Sequence, residues 1–250
     1  MMGLMPGQVA WAAMAIFVAG VLRGFTGFGF AVVAVPLGSL VVPPGMMVTA
    51  TLLMSTGIGV RDCLVERGRA DWPAVRGLVL GAAGGTPLGM LGLMVLPAAW
   101  VRLGLGVLVL VALAVTWRPV RHREQLGRGW SVLAGFCSGV CNGLAAMSGP
   151  AAIVYFLATQ TDRQAVRSSL MVYFPLVSVM ALPQAWWAGL LVRQSVAIAV
   201  FGLPLMMGGG WIGTAMFRRW GQTAYRPVAA VSLAATALAA LARGVAGLLP

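Results

Sequence analysis

The stretch VLRGFTGFGFAVVAVP, residues 21–36, decides how this sequence folds. It is apolar for most of its length, yet it carries Arg23 and then three glycines within six residues, Gly24, Gly27 and Gly29. Glycine lets the backbone leave a helix and lets a bound group approach the main chain. The stretch therefore indicates a helix with a functional interruption. The rest of the sequence shows whether this helix lies in water or in a membrane.

The composition is that of a membrane protein. Of the 250 residues, 60% are hydrophobic and 9% are charged, whereas a soluble domain usually carries about 25% charged residues. Residues 77–101, 168–192 and 194–217 contain no Asp, Glu, Lys or Arg. Each of these stretches is longer than the ~20 apolar residues that a membrane-spanning helix requires. The sequence therefore predicts an all-α polytopic membrane protein.

The positive charge belongs with the membrane rather than with nucleic acid. A net charge of +12 comes from 17 arginines, no lysine and five acids. The arginines gather at the ends of apolar stretches, as in RPVRHRE at 118–124 and FRRW at 217–220. Membrane topology and anionic lipid headgroups explain such positions. We expect the lipid bilayer and a small anionic substrate as partners, we expect no nucleic acid, and we leave a homodimer open.

The sequence offers no catalytic or metal centre. A serine nucleophile needs a base within hydrogen-bond reach. The single histidine, His122, lies in the charged loop, distant in sequence from Ser148 in AMSGP, and no lysine could replace it. We interpret the cysteines as small apolar residues; they are Cys63, Cys137 and Cys141. We expect no enzyme activity, no metal and no cofactor.

The sequence contains an internal repeat. AGVLRGFTGFGFAVVAVP at 19–36 is similar to AGFCSGVCNGLAAMSGP at 134–150. The matches are Gly20 and Gly24 with Gly135 and Gly139, Pro36 with Pro150, MVTATL at 47–52 with AVRSSL at 165–170, and Gly85, Gly89 and Arg102 with Gly209, Gly213 and Arg226. Their shared order indicates a duplication. It divides the chain into an N-terminal repeat (1–117), a basic cytoplasmic linker (118–128) and a C-terminal repeat (129–250).

Each repeat opens with its Gly-rich segment and continues with three spans. The predicted spans are 44–60, 75–96 and 100–117, then 168–190, 195–217 and 226–248. If both Gly-rich segments cross the membrane, six arginines lie outside and ten inside, with Arg23 left out of the count. If both are re-entrant hairpins, Arg102, Arg193 and Arg243 lie outside and thirteen lie inside. The positive-inside rule favours the hairpins, and hence the inverted-repeat layout common among secondary transporters.

The interrupted segments predict an anion site. We expect helices to restart near residues 28–30 and 142–146, with free N–H groups and a positive dipole end at each break. Two such ends that meet in mid-membrane form an anion site. The predicted substrate-binding residues are Arg23, Gly24, Thr26, Gly27, Phe28, Gly29, Asn142, Gly143, Ser148 and Gly149.

Close helix packing is the alternative role for these glycines. We assign Gly85 with Gly89, and Gly209 with Gly213, to packing, and Arg23 could also extend to a membrane interface. All five acids fall in predicted loops or at span ends. We therefore expect an interior suited to an anion, without coupling through a buried carboxylate.

These features resemble the TauE/SafE sulfite exporter family. The resemblance lies in the two Gly-rich segments that end in proline, in the helix starts MVTATL and AVRSSL, and in GRADW at 68–72. It implies an inner-membrane transporter of sulfite, sulfonates or related organosulfur anions. Ala145 and Ala146 stand where more glycine is expected, which leaves the substrate open. A non-transporting membrane subunit or scaffold is the alternative, and an intramembrane enzyme ranks last.

Overall fold

The computed structural model describes residues 6–97, 100, 128–159 and 162–246, which form eight helices and no strand. The helices are α1 Pro6–Thr26, α2 Phe30–Gly38, α3 Pro44–Glu66, α4 Trp72–Val95, α5 Arg128–Ala145, α6 Gly149–Thr159, α7 Arg163–Trp187 and α8 Arg193–Ala246. Except for Trp100 and Arg128, the predicted span at 100–117 and the basic linker lie outside the described residues.

Five helices in the described part of the chain are long and apolar enough to cross a membrane. These candidate spans are Gly7–Thr26, Pro44–Glu66, Trp72–Val95, Gln164–Trp187 and Arg193–Trp220. Their length matches the ~20 residues that the bilayer core requires. The prediction of an all-helical, multi-pass membrane protein is therefore confirmed for the described residues.

Each half opens with a long helix, a three-residue break and a short helix. In the first half, α1 has 21 residues and α2 has nine, which correspond to about 32 Å and 14 Å at the usual rise of an α-helix. In the second half, α5 has 18 residues and α6 has 11. By length α1 could cross a bilayer by itself, whereas α2 is too short to do so.

The last helix is longer than the sequence predicted. The spans at 195–217 and 226–248 were expected to be separate, but α8 runs without a break for 54 residues from Arg193 to Ala246. The expected loop between the spans is therefore wrong. Its sequence has one glycine, Gly221, before Pro227, and a single glycine costs a helix only about 1 kcal/mol. Pro227 weakens one turn of α8 and does not end the helix there.

Glycine packing joins the two halves crosswise. α1 packs on α8, and α5 packs on α4. An ideal Cβ at Gly24 would lie 2.2 Å from the carbonyl oxygen of Gly210, and one at Gly143 would lie 2.3 Å from that of Thr86. The backbones approach this closely because neither glycine carries a side chain. The first helix of each half therefore rests on the second predicted span of the other half.

The predicted packing glycines of α4 and α8 are confirmed at these contacts. An ideal Cβ at Gly85 would lie 2.1 Å from the carbonyl oxygen of Phe136, and one at Gly213 would lie 1.9 Å from that of Val21. No side chain can be added at such distances without moving a backbone. The four glycines Gly85, Gly89, Gly209 and Gly213 are packing residues.

The same contacts correct the register of the repeat. Gly24 packs on α8 as Gly143 packs on α4, and Gly20 contacts Met206 as Gly139 contacts Ala82. Gly24 is therefore equivalent to Gly143, and the sequence match of Gly24 with Gly139 is wrong by one helical turn. The error arises because glycines follow one another every four residues in the second half, so a slip of one turn keeps glycine on the same helix face.

The equivalent helices α3 and α7 run antiparallel. Near one end, an ideal Cβ at Gly45 would lie 3.2 Å from the Leu190 side chain. Near the other end, Glu66 contacts Arg167 and Ser168. Along these contacts the residue numbers rise in one helix as they fall in the other.

Candidate functional site

Both breaks begin with a left-handed residue that ends a long helix. Gly27 has a φ of +80° and donates its N–H to the carbonyl of Arg23 at 2.7 Å. Ala146 has a φ of +56° and donates in the same way to Asn142 at 2.7 Å. This is the αL form of a helix C-terminus. Gly27 also makes room for α7, because a Cβ there would lie 2.8 Å from Cγ of Arg167.

The short helices restart directly after the breaks. Gly29, with a φ of +92°, precedes α2, and the first bond of that helix runs from Val33 N to Gly29 O at 3.1 Å. The predicted restart at 28–30 is therefore confirmed. The restart predicted at 142–146 is wrong, because α6 begins at Gly149. Asn142 instead lies in the last turn of α5, which continues until Ala146 turns the chain.

A small cavity of about 30 Å³ lies where the two breaks meet. Its lining residues come from both breaks and from α1, α2, α3, α6 and α7: Arg23, Phe28, Gly29, Phe30, Ala31, Val32, Ser55, Ala146, Met147, Ser148, Gly149, Phe174 and Ser178. A space of this size holds about one or two water molecules. The cavity thus brings residues from the two predicted parts of the site together.

The backbone at the first break offers hydrogen-bond donors. The N–H groups of residues 30–32 precede the first hydrogen bond of α2, and such groups have no partner within their helix. Three carbonyls near the end of α1 accept hydrogen bonds: Leu22 O from Thr26 Oγ1 at 2.8 Å, Arg23 O from Gly27 N at 2.7 Å, and Gly24 O from Arg167 Nη2 at 2.9 Å. The positive end of the α2 dipole lies at the break and favours a negatively charged ligand there.

Arg23 carries the charge of the cavity. Of the described residues that line it, Arg23 alone is charged. Arg23 is 5% exposed, and its Nη2 donates to Oδ2 of Asp62, which is 2% exposed. The other carboxylate oxygen, Oδ1, lies 3.6 Å from Nη1 of Arg61, whose side chain is 55% exposed. The Asp62 carboxylate therefore bridges a buried and an exposed arginine.

A second buried ion pair lies one turn further along α3. Glu66 accepts from Arg167 Nη1 at 3.1 Å and from Ser168 Oγ at 2.6 Å. Arg167 also lies 3.3 Å from Thr214 Oγ1 and has its guanidinium 4.8 Å from the centre of the Phe217 ring. Together with the bond to Gly24, these contacts tie α1, α3, α7 and α8 to one another.

The two buried acids contradict the sequence analysis. The span predicted to end at residue 60 continues to Glu66, so that Asp62 and Glu66 lie in the last two turns of α3 and are buried. The helix continues because each acid meets an arginine from another helix, which offsets the cost of burying its charge. The signal was present in the sequence, because residues four apart share one face of a helix.

The remaining predicted site residues surround the cavity rather than line it. Thr26 fixes the turn, since its hydroxyl accepts from Phe28 N at 3.2 Å. Gly24 and Gly143 lie in the helix contacts described above. Asn142 donates Nδ2 to Val177 O at 3.2 Å, and its Oδ1 has no partner among the described residues. Ser55, Phe174 and Ser178 line the cavity but lie outside the two Gly-rich segments, so sequence reasoning missed them.

A larger cavity of about 290 Å³ has no anion chemistry. It lies between α1, the start of α3 and the start of α8, and its lining includes Val9, Ile16, Val42 and Phe201. Gln194 is the one polar side chain among the described lining residues. Because a small anion needs donors or positive charge, the cavity at the two breaks is the candidate site.

The chain matches a protein-family model. The model of the family described as sulfite exporter TauE/SafE matches residues 12–240, which is nearly the whole chain. No curated protein and no solved structure matches the chain.

Proposed function

Because the chain belongs to the TauE/SafE sulfite exporter family, we propose that it exports sulfite or a related organosulfonate across a bacterial inner membrane. The family is one of membrane transporters, and the described helices include five candidate spans. The substrate binds where the two breaks meet. A homodimer stays a prediction.

One observation carries the proposal: the cavity combines Arg23 with the first residues of two short helices. A guanidinium donates paired hydrogen bonds to an oxyanion. The N–H groups at the start of α2 and α6 add further donors and the positive ends of two helix dipoles. In secondary transporters, half-helix N-termini near the bilayer centre hold anionic groups in this way. Ser148 and Ser178 supply hydroxyl groups for the remaining oxygens.

The proposed arrangement of the halves is an inverted repeat. It is supported by the antiparallel packing of α3 against α7, because equivalent helices of inverted halves run in opposite directions. The crosswise contacts of α1 with α8 and of α5 with α4 are also those that a pseudo-two-fold axis would relate. Transport then requires the halves to move, because a cavity of about 30 Å³ is too small for a sulfite ion with its water.

The test is transport by the purified protein. Proteoliposomes loaded with radiolabelled sulfite should release it faster than protein-free liposomes, and unlabelled sulfite or methanesulfonate should compete. A variant with Phe30 changed to glutamate, which places a negative charge at the start of α2, should release sulfite at the protein-free rate. Release from wild-type proteoliposomes no faster than from protein-free liposomes would favour a scaffold and contradict the proposal.

A further inference from the structure

The Asp62 carboxylate is paired with the guanidinium of Arg23, which is the group that an anionic substrate needs. Arg23 is the charged residue of the cavity, and its guanidinium already donates to Asp62 in a buried pair. We propose that Asp62 is a resident counter-anion, which neutralises Arg23 while the site is empty and is displaced by the transported anion. This inference rests on the proposed function and adds a mechanism by which the same site empties and refills.

Substrate and Asp62 are chemically equivalent partners for Arg23. Sulfite, a sulfonate and a carboxylate each present oxygens that accept paired hydrogen bonds from a guanidinium. Arg23 is almost fully buried, and a buried charge without a partner is strongly destabilising. Arg23 must therefore hold one anion or the other, so that binding of the substrate is an exchange of partners.

The displaced carboxylate has a second arginine beside it. Oδ1 of Asp62 lies 3.6 Å from Nη1 of Arg61, and the Arg61 side chain is largely exposed. When the substrate takes Arg23, Asp62 stays paired with Arg61. Every charge then keeps a partner in both states: Asp62 with both arginines in the empty state, and substrate with Arg23 plus Asp62 with Arg61 in the bound state. The exchange requires no proton.

The neighbouring pair of Glu66 and Arg167 provides a matched comparison. Glu66 is held by Arg167 and by Ser168, while Arg167 is also bonded to the carbonyl of Gly24. Neither Glu66 nor Arg167 lines the cavity at the breaks. Both acids lie on α3, one turn apart, and both are paired with a buried arginine, but only Asp62 is paired with an arginine of the cavity.

The counter-anion has a direct consequence for transport. A carrier that exports an anion must return empty, and Asp62 lets it do so with Arg23 neutralised. Without Asp62, the empty carrier would have to move its helices around an unpaired buried arginine, which is costly in a membrane. Such a carrier still exchanges one bound anion for another, but it loses net export.

Proteoliposomes that contain the Asp62→Asn variant test this directly. Net efflux of radiolabelled sulfite is measured into anion-free buffer, and exchange is measured with unlabelled sulfite outside. Loss of Asp62 impairs only the return of the empty carrier, which net efflux requires and exchange does not. We therefore expect net efflux to fall at least about tenfold while exchange stays within about twofold of wild type. Glu66→Gln should keep the wild-type ratio of the two rates. A wild-type ratio in Asp62→Asn overturns the inference but not the proposed function, whereas absence of both rates in the wild type overturns both.

A stability measurement covers the case in which Asp62→Asn folds poorly. Without an anion, the variant should melt below wild type because Arg23 has lost its partner. Saturating sulfite should raise its Tm by more than it raises the wild-type Tm, since the ligand replaces the missing carboxylate. Glu66→Gln should also have a lower Tm than wild type, but sulfite should raise its Tm no more than it raises the wild-type Tm. The Tm of the double variant Arg23→Gln with Asp62→Asn should not change with sulfite. Equal sulfite responses of wild type and Asp62→Asn would overturn the inference.

Discussion

Asn142 occupies in the second half the position that Arg23 occupies in the first. Each lies four residues before the left-handed residue that ends its helix, and each carbonyl accepts the N–H of that residue at 2.7 Å. Both side chains are buried. Arg23 pairs with Asp62, whereas Asn142 donates to the carbonyl of Val177. Among the described residues that line the cavity, the repeat therefore supplies one cation, Arg23.

Removal of that cation should impair transport. We expect Arg23→Gln to lower sulfite efflux from proteoliposomes at least about tenfold, because a hydrogen bond to a charged group is worth ~1.5–3 kcal/mol. The control is Arg76→Gln, which removes an exposed arginine from α4 and should leave efflux unchanged. Both variants must first elute as monodisperse protein. Wild-type efflux from Arg23→Gln would mean that Arg23 only holds α1 against α3.

The glycine contacts predict a contrast between two identical substitutions. Gly143→Ala should lower the free energy of unfolding by about 1–3 kcal/mol through overpacking, since its Cβ would lie 2.3 Å from the Thr86 carbonyl oxygen. Gly208→Ala should be neutral or raise stability by up to ~1 kcal/mol from helix propensity, since nothing lies within 4 Å of its Cβ. Thermal melting in detergent measures both. Similar melting temperatures for the two variants would contradict the packing between α4 and α5.

The two left-handed residues predict a second contrast. Gly27→Ala should lose more than about 1 kcal/mol of stability, because alanine is strained at positive φ and its Cβ would press on Arg167. Ala146→Gly relieves the same strain but gives the unfolded chain more freedom, and these effects nearly cancel, to within ~1 kcal/mol. Thermal melting again provides the measurement, and equal losses in the two variants would argue against the shared αL ends.

The sequence predicted those parts of the site that glycine marks. The breaks, the restart of α2 and the packing glycines of α4 and α8 could be predicted because glycine has few other uses in a membrane helix. The register of the second half could not, because a glycine repeat with a spacing of one turn allows two equivalent matches. The buried Asp62 was missed because its cost depends on Arg23, which belongs to another helix. Ser55 and Ser178 carry no local pattern, and only the packing of α3 on α7 brings them to the cavity.

The orientation of the halves can be tested at opposite ends of the α3 and α7 pair. Gly68 follows α3 and Leu191 follows α7, and the two helices run antiparallel. The two residues therefore lie at opposite ends of the bundle. Gly68 adjoins Arg67 and Arg69, so the positive-inside rule places it in the cytoplasm and Leu191 outside.

Single cysteines at positions 68 and 191 should report the cytoplasmic and the external side of the membrane. The three native cysteines are first changed to alanine, and Gly68→Cys or Leu191→Cys is then introduced. A membrane-impermeant maleimide should label Leu191→Cys in intact cells and Gly68→Cys only after the cells are permeabilised. Gly68 has nothing within 4 Å of its Cβ, so the new side chain causes no strain. Labelling of both cysteines from the same side would contradict the antiparallel contact of α3 with α7, and labelling on exchanged sides would reverse the proposed orientation while leaving the fold intact.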